Sequence, residues 1–328
     1  MLNAATVMGR AMDRRAFLNG AMMQAAMLTA ERAGAASLWP HAAPTALKPM
    51  AVGLIISPAN APEEAIQKVH ALGMSNCFLS LDGYIGNFTA ERAQELKTLL
   101  DKYEIVPTCA EVVGPGRLAW NFLDGPSTIG IVPPNSRAAR MDALKQTSDF
   151  AKQLNIPRVQ THCGFIPENP RDPLYEPTVL AIRELAEHCA GNGQEFLMET
   201  GQETPTTMAR AIKDVDRSNL GVGLDTANLI LYGKANPVDA IDIIGPHVRS
   251  VHAKDGRWPT DPLKLGEEVL IGTGVVDFKT VLSKLYKLGY TNPITIERET
   301  SGPQQIEDVK QEKIYLEKII AQIQSGQA

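Results

Sequence analysis

From residue 50 onward the chain repeats one unit, a short β-branched or apolar run followed by a longer segment with apolar residues at helical spacing. Eight such runs occur: Met50–Ser57, Asn76–Leu81, Ile105–Val112, Arg158–His162, Glu195–Glu199, Gly221–Asp225, Val248–His252 and Ile294–Glu297. Runs that apolar read as strands covered on both faces, and the intervening helices are the crossovers that parallel strands require. Eight βα units predict a closed (β/α)8 barrel over residues 50–328, close to the roughly 250 residues typical of that fold. An open doubly wound sheet fits less well. The first strand carries Gly53-Leu54-Ile55-Ile56-Ser57-Pro58, with no glycine-rich phosphate loop after it. Helix starts are expected at Pro62, Thr89, Ser136, Asp172, Thr204, Asn236, Asp277 and Pro303, from their capping side chains or a first-turn proline.

Ahead of the repeat, Asp13-Arg14-Arg15-Ala16-Phe17-Leu18-Asn19 resembles a twin-arginine export motif. A mildly apolar stretch to Ala30 and the small-residue run Ala33-Gly34-Ala35-Ala36 follow it. Residues 1–36 are therefore read as an export signal and 37–49, with Pro40, Pro44 and Pro49, as a linker. The expected location is periplasmic or exported. No later stretch reaches the ~18 uninterrupted apolar residues of a membrane span, so none is expected after signal removal. The signal holds four arginines against Asp13 and Glu31, so with −5 on the whole chain the remaining residues carry −7. An acidic body without a basic run argues against nucleic acid and for a small-molecule partner. Cys77, Cys109, Cys163 and Cys189 form no CxxC pair and read as free, packed thiols.

Loops that follow strands lie at the C-terminal mouth of a barrel, where such enzymes place their chemistry. The longest connections, Gly114–Asn135, Gly164–Asp172 and Gly256–Val276, all follow strands. Four consecutive strands end on a polar residue that interrupts a buried run: Glu199, Asp225, His252 and Glu297, spaced 26, 27 and 45 residues apart. One strand-end carboxylate is ordinarily a cap for the next helix. Three carboxylates and an imidazole converging at one mouth repel one another in low dielectric and call for a divalent cation. Hard oxygen donors with one imidazole suit Mn²⁺ or Mg²⁺ better than a thiolate-rich zinc site, with Co²⁺ and Zn²⁺ as alternatives.

These residues sit in Leu197-Met198-Glu199, Gly223-Leu224-Asp225-Thr226-Ala227-Asn228, Val251-His252-Ala253-Lys254-Asp255-Gly256 and the run from Gly272 to Glu297. Over residues 50–325 the chain resembles the xylose-isomerase-like barrel superfamily of sugar (phosphate) isomerases and epimerases, inosose dehydratases and AP endonucleases. The resemblance implies Glu199, Asp225, His252 and Glu297 as ligands of one Mn²⁺-like ion, with Glu199 and Glu297 doubling as acid and base. It also implies dimers or tetramers. Ketose 3-epimerases usually carry a histidine three residues after the metal aspartate, where this chain has Asn228. The His-x-Lys-Asp pattern at His252 instead resembles the inosose dehydratase branch, some of whose relatives act on 3-keto sugars or glycosides supplied by a partner oxidoreductase.

The chemistry shared by these activities removes a proton next to a carbonyl to give an enediolate. Return of the proton gives an isomer or epimer, and loss of a β-hydroxyl gives a dehydrated product. Lys254, on the same inward face as His252, is a candidate for an oxyanion or a substrate hydroxyl. His162 and Glu111 end their strands and, with Asn228, are further candidates for substrate contact; Gln160 shares the parity of His162. Trp120 and Trp258, in the two longest loops, are placed to stack on a sugar ring. Two alternatives stand beside the isomerase reading. An AP-endonuclease-like phosphodiesterase would need more histidines than the six present, and a non-catalytic carbohydrate-binding barrel would have no need of two opposed carboxylates.

Overall fold

The computed structural model describes residues 47–327. The export signal at 1–36 and most of the linker lie outside the described residues. The elements are β1 (Val52–Ile56), α1 (Pro62–Ala71), β2 (Asn76–Ser80), α2 (Ala90–Lys102), β3 (Val106–Glu111), α3 (Gly125–Thr128), α4 (Pro134–Gln153), β4 (Arg158–Thr161) and α5 (Tyr175–Gly191). They continue with β5 (Glu195–Glu199), α6 (Pro205–Val215), β6 (Leu220–Asp225), α7 (Asn228–Leu231), α8 (Pro237–Ile244), β7 (Val248–Ala253), β8 (Asp255–Arg257), β9 (Glu267–Val269), α9 (Phe278–Lys287), β10 (Ile294–Ile296) and α10 (Pro303–Gln324).

All eight expected strands form, and β1–β7 with β10 close into one parallel barrel in which β1 pairs with both β2 and β10. Thr89, Thr204, Asn236 and Asp277 each cap a helix, accepting from the backbone N–H of Arg92, Thr207, Val238 and Thr280. Two starts differ from expectation. α4 begins at Pro134, so Ser136 lies inside its first turn, and α5 begins at Tyr175 because Asp172 spends its carboxylate on the N–H of Leu174 in the turn before it. Among the described residues, no helix is long and apolar enough to cross a membrane.

The main core lies between the strands and the surrounding helices. A second, smaller cluster of Phe78, Cys109 and Leu197, with Ile55 against it, fills the barrel interior. Phe78 meets His252 edge-on at 4.5 Å, so this plug supports the ring from below. The span Gly256–Val276, expected as a loop, begins with an antiparallel ribbon of β8 and β9. Its anchor is Asp255, fully buried, whose Oδ1 accepts from Gly256 and Val276 and whose Oδ2 accepts from Gly272 and Gly274, at 2.8–3.1 Å. Four backbone donors on one carboxylate fold this loop back toward the mouth.

Two outcomes test this packing. Leu197→Ala empties part of the barrel plug and should lower unfolding free energy in urea by about 3 kcal/mol; a loss under about 1 kcal/mol would contradict the packing described. All four cysteines are buried and unpaired, and burial pushes their thiols up, Cys189 to about 12. A water-soluble thiol reagent should therefore leave the native protein unlabelled and label four thiols after denaturation.

Candidate active site at the barrel mouth

Register aligns the four strand ends. Glu199 pairs opposite Gly223, Asp225 opposite His252, and His252 opposite Thr295, two residues before Glu297. Alternation along each strand then turns these side chains to one interior. Their ligand-type atoms lie within 4.8 Å of one another. His252 Nδ1 stands 3.1 Å from Glu199 Oε1 and 3.2 Å from Glu297 Oε2. Glu199, Asp225 and His252 are buried and Glu297 is partly open to the mouth.

Asp225 divides its carboxylate between two tasks. Oδ1 accepts from the backbone N–H groups of Ala227 and Asn228 at 2.8 and 2.7 Å, capping α7, while Oδ2 has no hydrogen-bond partner among the described residues. Glu297 Oε2, although near His252, also lacks a partner with hydrogen-bond geometry. Burial pushes the Asp225 carboxyl well up against the pull of Lys254. At His252 burial is outweighed by the charges of Glu199 and Glu297, which hold the imidazole well above its usual range. Buried carboxylate oxygens without donors, focused on one point beside an imidazole, fit an oxygen-rich divalent cation site.

A second ring of groups holds Glu199. Gln160 Nε2 donates to its Oε2 at 3.1 Å, and His162 Nε2 lies 3.3 Å from the same oxygen. Gly223 makes this arrangement feasible, because a Cβ there would stand 2.0 Å from Gln160 Oε1. Glu111, His162 and Glu199 converge within 4.8 Å, and at Glu111 burial and then the Glu199 charge push the carboxyl well up. Lys254 is buried, 3.1 Å from Glu299, 3.8 Å from Glu297 and 4.0 Å from Asp225. It does not pair with Asp255, whose oxygens are taken by the ribbon loop. Burial disfavours the ammonium, but the surrounding carboxylates hold the Lys254 pKa well above its usual value.

Of the other expected residues, Asn228 is buried at the start of α7, and Trp120 sets its indole edge against His162 at 5.0 Å while remaining 44% exposed. Trp258 lies elsewhere, lining a surface concavity of the ribbon arm with Arg257, Asp261 and Lys264. Three polar residues escaped the sequence reading. Gln202 Oε1 accepts from His162 Nδ1 at 3.2 Å, a geometry that assigns the ring proton to Nδ1. Tyr232 follows α7, and Glu203 is buried with neither carboxylate oxygen partnered among the described residues. The signal for Gln202 and Glu203 was the polar run Thr200-Gly201-Gln202-Glu203 directly after a strand-end glutamate.

Burial raises the Glu203 carboxyl from 4.5 to about 8, against its own backbone N–H and Lys234. The folded state thus binds this proton more tightly than the unfolded chain, so its contribution to stability is present below about pH 4.5 and is lost as pH rises toward 8. Glu203→Gln should remove that slope: urea midpoints of variant and wild type should diverge between about pH 5 and 8, with the variant increasingly the more stable. Parallel pH profiles would show that Glu203 is partnered.

The family model described as xylose isomerase-like TIM barrel matches residues 66–319. A xylose isomerase domain protein from Planctomyces limnophilus is 30% identical with a TM-score of 0.77, covering 85% of this chain and 99% of its own. A xylose isomerase-like TIM barrel protein from Mycobacterium smegmatis in complex with magnesium is 19% identical, TM-score 0.64, covering 86% and 98%. A D-psicose 3-epimerase solved with D-fructose is 16% identical, TM-score 0.60, covering 83% and 97%; at such identities these two share the fold. The uncharacterized protein MJ1311 of Methanocaldococcus jannaschii is 27% identical over 172 residues, which span 49% of this chain and 57% of that relative. The match over most of the barrel, on a chain whose strand ends converge as described, places this protein in the xylose isomerase-like TIM barrel family.

Proposed function

We propose that the protein is a divalent-metal-dependent sugar isomerase or epimerase, acting through an enediolate of a ketose, keto-polyol or 3-keto-glycoside. The observation that carries this reading is the pair of carboxylates, Glu199 and Glu297, approaching the same nitrogen of His252 from two strands. Sugar epimerases among the similar folds, and magnesium in one of them, support it. A bound Mn²⁺ or Mg²⁺, held by Glu199, Asp225, His252 and Glu297, would polarise a substrate carbonyl and acidify the adjacent C–H.

The chain's own groups divide the proton work unequally. Glu297, its side chain 16% exposed against 1% for Glu199, is the carboxylate a substrate meets first and is assigned as the base. Burial would raise its carboxyl, but the charges of Lys254 and His252 hold it well below the usual range, so it stays ionised. Glu199, fixed by Gln160 and His162, serves the opposite side as the partner acid or base. Lys254 is placed to steady an enolate oxygen or bind a hydroxyl. The same ammonium beside Glu297 also favours a second reading, a dehydratase that expels a β-hydroxyl from the enediolate. Residues 1–36 are proposed to send the protein through the twin-arginine route to the periplasm, where a sugar oxidoreductase would supply keto substrate; dimers or tetramers are proposed by resemblance.

Metal analysis and proton exchange in D₂O, across ketoses, inosose and 3-keto-glycosides, test the reading together. Bound metal and chelator-sensitive deuterium uptake next to a carbonyl are expected; a dehydratase would instead accumulate an unsaturated product. Glu297→Gln should slow uptake by about 10²–10⁴-fold with the fold intact by circular dichroism. Undiminished uptake in that variant would remove Glu297 as the base. A metal-free protein that exchanges no sugar would overturn the enzyme reading.

A further inference from the structure

We propose that the Gln202 amide and the Tyr232 hydroxyl form a recognition subsite beside the metal-type cluster, one that selects an uncharged, polyhydroxylated substrate by binding a hydroxyl away from the reacting carbons. It rests on the sugar reading above. Gln202 is 1% exposed and Tyr232 4% exposed, and although the Gln202 amide stands close enough to the Tyr232 hydroxyl to lower its pKa, neither Gln202 Nε2 nor that hydroxyl has a partner in hydrogen-bond geometry among the described residues. Buried polar atoms left unmatched cost about 1–3 kcal/mol each. Two together, next to a candidate active site, mark a place where a ligand supplies the missing partners.

The geometry sets both groups in position. Gln202 Oε1 accepts from His162 Nδ1 at 3.2 Å, which leaves Nε2, beside the Tyr232 hydroxyl, as a donor without an acceptor in hydrogen-bond geometry. The other nitrogen of that ring lies 3.3 Å from Glu199 Oε2, so the amide stands one imidazole away from the cluster. Gly201 brings the β5 loop against α7, since a Cβ there would sit 3.1 Å from Asn228 Cβ and 3.5 Å from the Tyr232 ring. Phe122 and Phe165 meet the Tyr232 ring edge-on at 6.3 and 5.8 Å, fixing it while offering its hydroxyl nothing to bind. Trp120, packed on His162 and open to solvent, adds an apolar wall of the kind that sugar rings use.

The chemistry of the pair favours a neutral hydroxyl. An amide N–H and a phenol form ordinary neutral hydrogen bonds, with burial pushing the phenol up to about 12 against the pull of the Gln202 amide and so keeping it protonated. A phosphate or carboxylate would normally meet arginine, whereas the buried acids closest by in sequence and contact are Glu199 and Glu203. Sites built to bind a hydroxyl discriminate strongly against analogues that lack it, because their own polar groups are then stranded.

Calorimetric titration of the Mn²⁺-loaded full chain tests this, with D-fructose, D-tagatose and inosose as probes, each beside its monodeoxy analogues and the ketoses beside their phosphates. For the tightest probe, one deoxy analogue should bind about tenfold more weakly, and its phosphate no better than the parent. Tyr232→Phe and Gln202→Met should each weaken the parent about tenfold without weakening that deoxy analogue further. Because the Tyr232 oxygen has no protein partner in hydrogen-bond geometry, Tyr232→Phe should melt at or above the wild-type temperature, so a loss of affinity cannot be ascribed to unfolding. Equal binding of all deoxy analogues, or unchanged affinity in both variants, overturns the subsite while leaving the sugar reading in place. Failure of every probe to bind overturns that reading and this inference with it.

Discussion

Mutual repulsion among Glu199, Asp225 and Glu297 is the constraint around which the barrel mouth is organised. Three carboxylates share a space within 4.8 Å, walled from water on most sides, and each must find a positive or donating partner. His252 faces two of them, Lys254 lies within 4.0 Å of two, and Asp225 puts one oxygen on backbone donors. These arrangements leave Asp225 Oδ2 and Glu297 Oε2 without hydrogen bonds. The same repulsion that makes the cluster expensive to assemble makes it receptive to a divalent cation.

That cluster is supported from three directions. Below it, Phe78, Cys109 and Leu197 plug the barrel, with Phe78 against the His252 ring. On the β4 side, Gln160 reaches across the space that Gly223 leaves open and fixes one oxygen of Glu199. On the β7 side, Asp255 gathers four backbone donors and ties the ribbon loop down next to Lys254. Asp255 and Lys254 are neighbours in sequence with opposite charge, yet each is bound to something else. Strand alternation sends their side chains in different directions.

Much of the barrel was legible because its signals are local. The eight apolar runs, Thr89, Thr204, Asn236 and Asp277 at helix starts, and the strand-end positions of Glu199, Asp225, His252 and Glu297 all follow from short-range pattern. The β8–β9 ribbon was not legible, since Asp255–Arg257 and Glu267–Val269 are three-residue strands whose pairing depends on a buried aspartate rather than on alternation. Gln202, Glu203 and Tyr232 were missed for a related reason. A polar loop residue reads as solvated until the neighbours that bury it are known, and Tyr232 reads as core until its hydroxyl is seen to lack a partner.

The amino-acid sequence by itself determined the number and order of βα units and which four strands end in metal-type side chains, because periodicity and strand parity are properties of a few consecutive residues. Tertiary structure alone decided how those side chains divide their oxygens: Asp225 between a helix cap and the cluster, Glu199 between Gln160 and His252, Lys254 among Glu297, Glu299 and Asp225. It also decided that Trp120 faces His162 while Trp258 lies on the ribbon arm. These outcomes depend on barrel closure and register, which bring together residues more than two hundred positions apart, such as Val52 and Ile294, and set, at the scale of ångströms, which donor meets which acceptor.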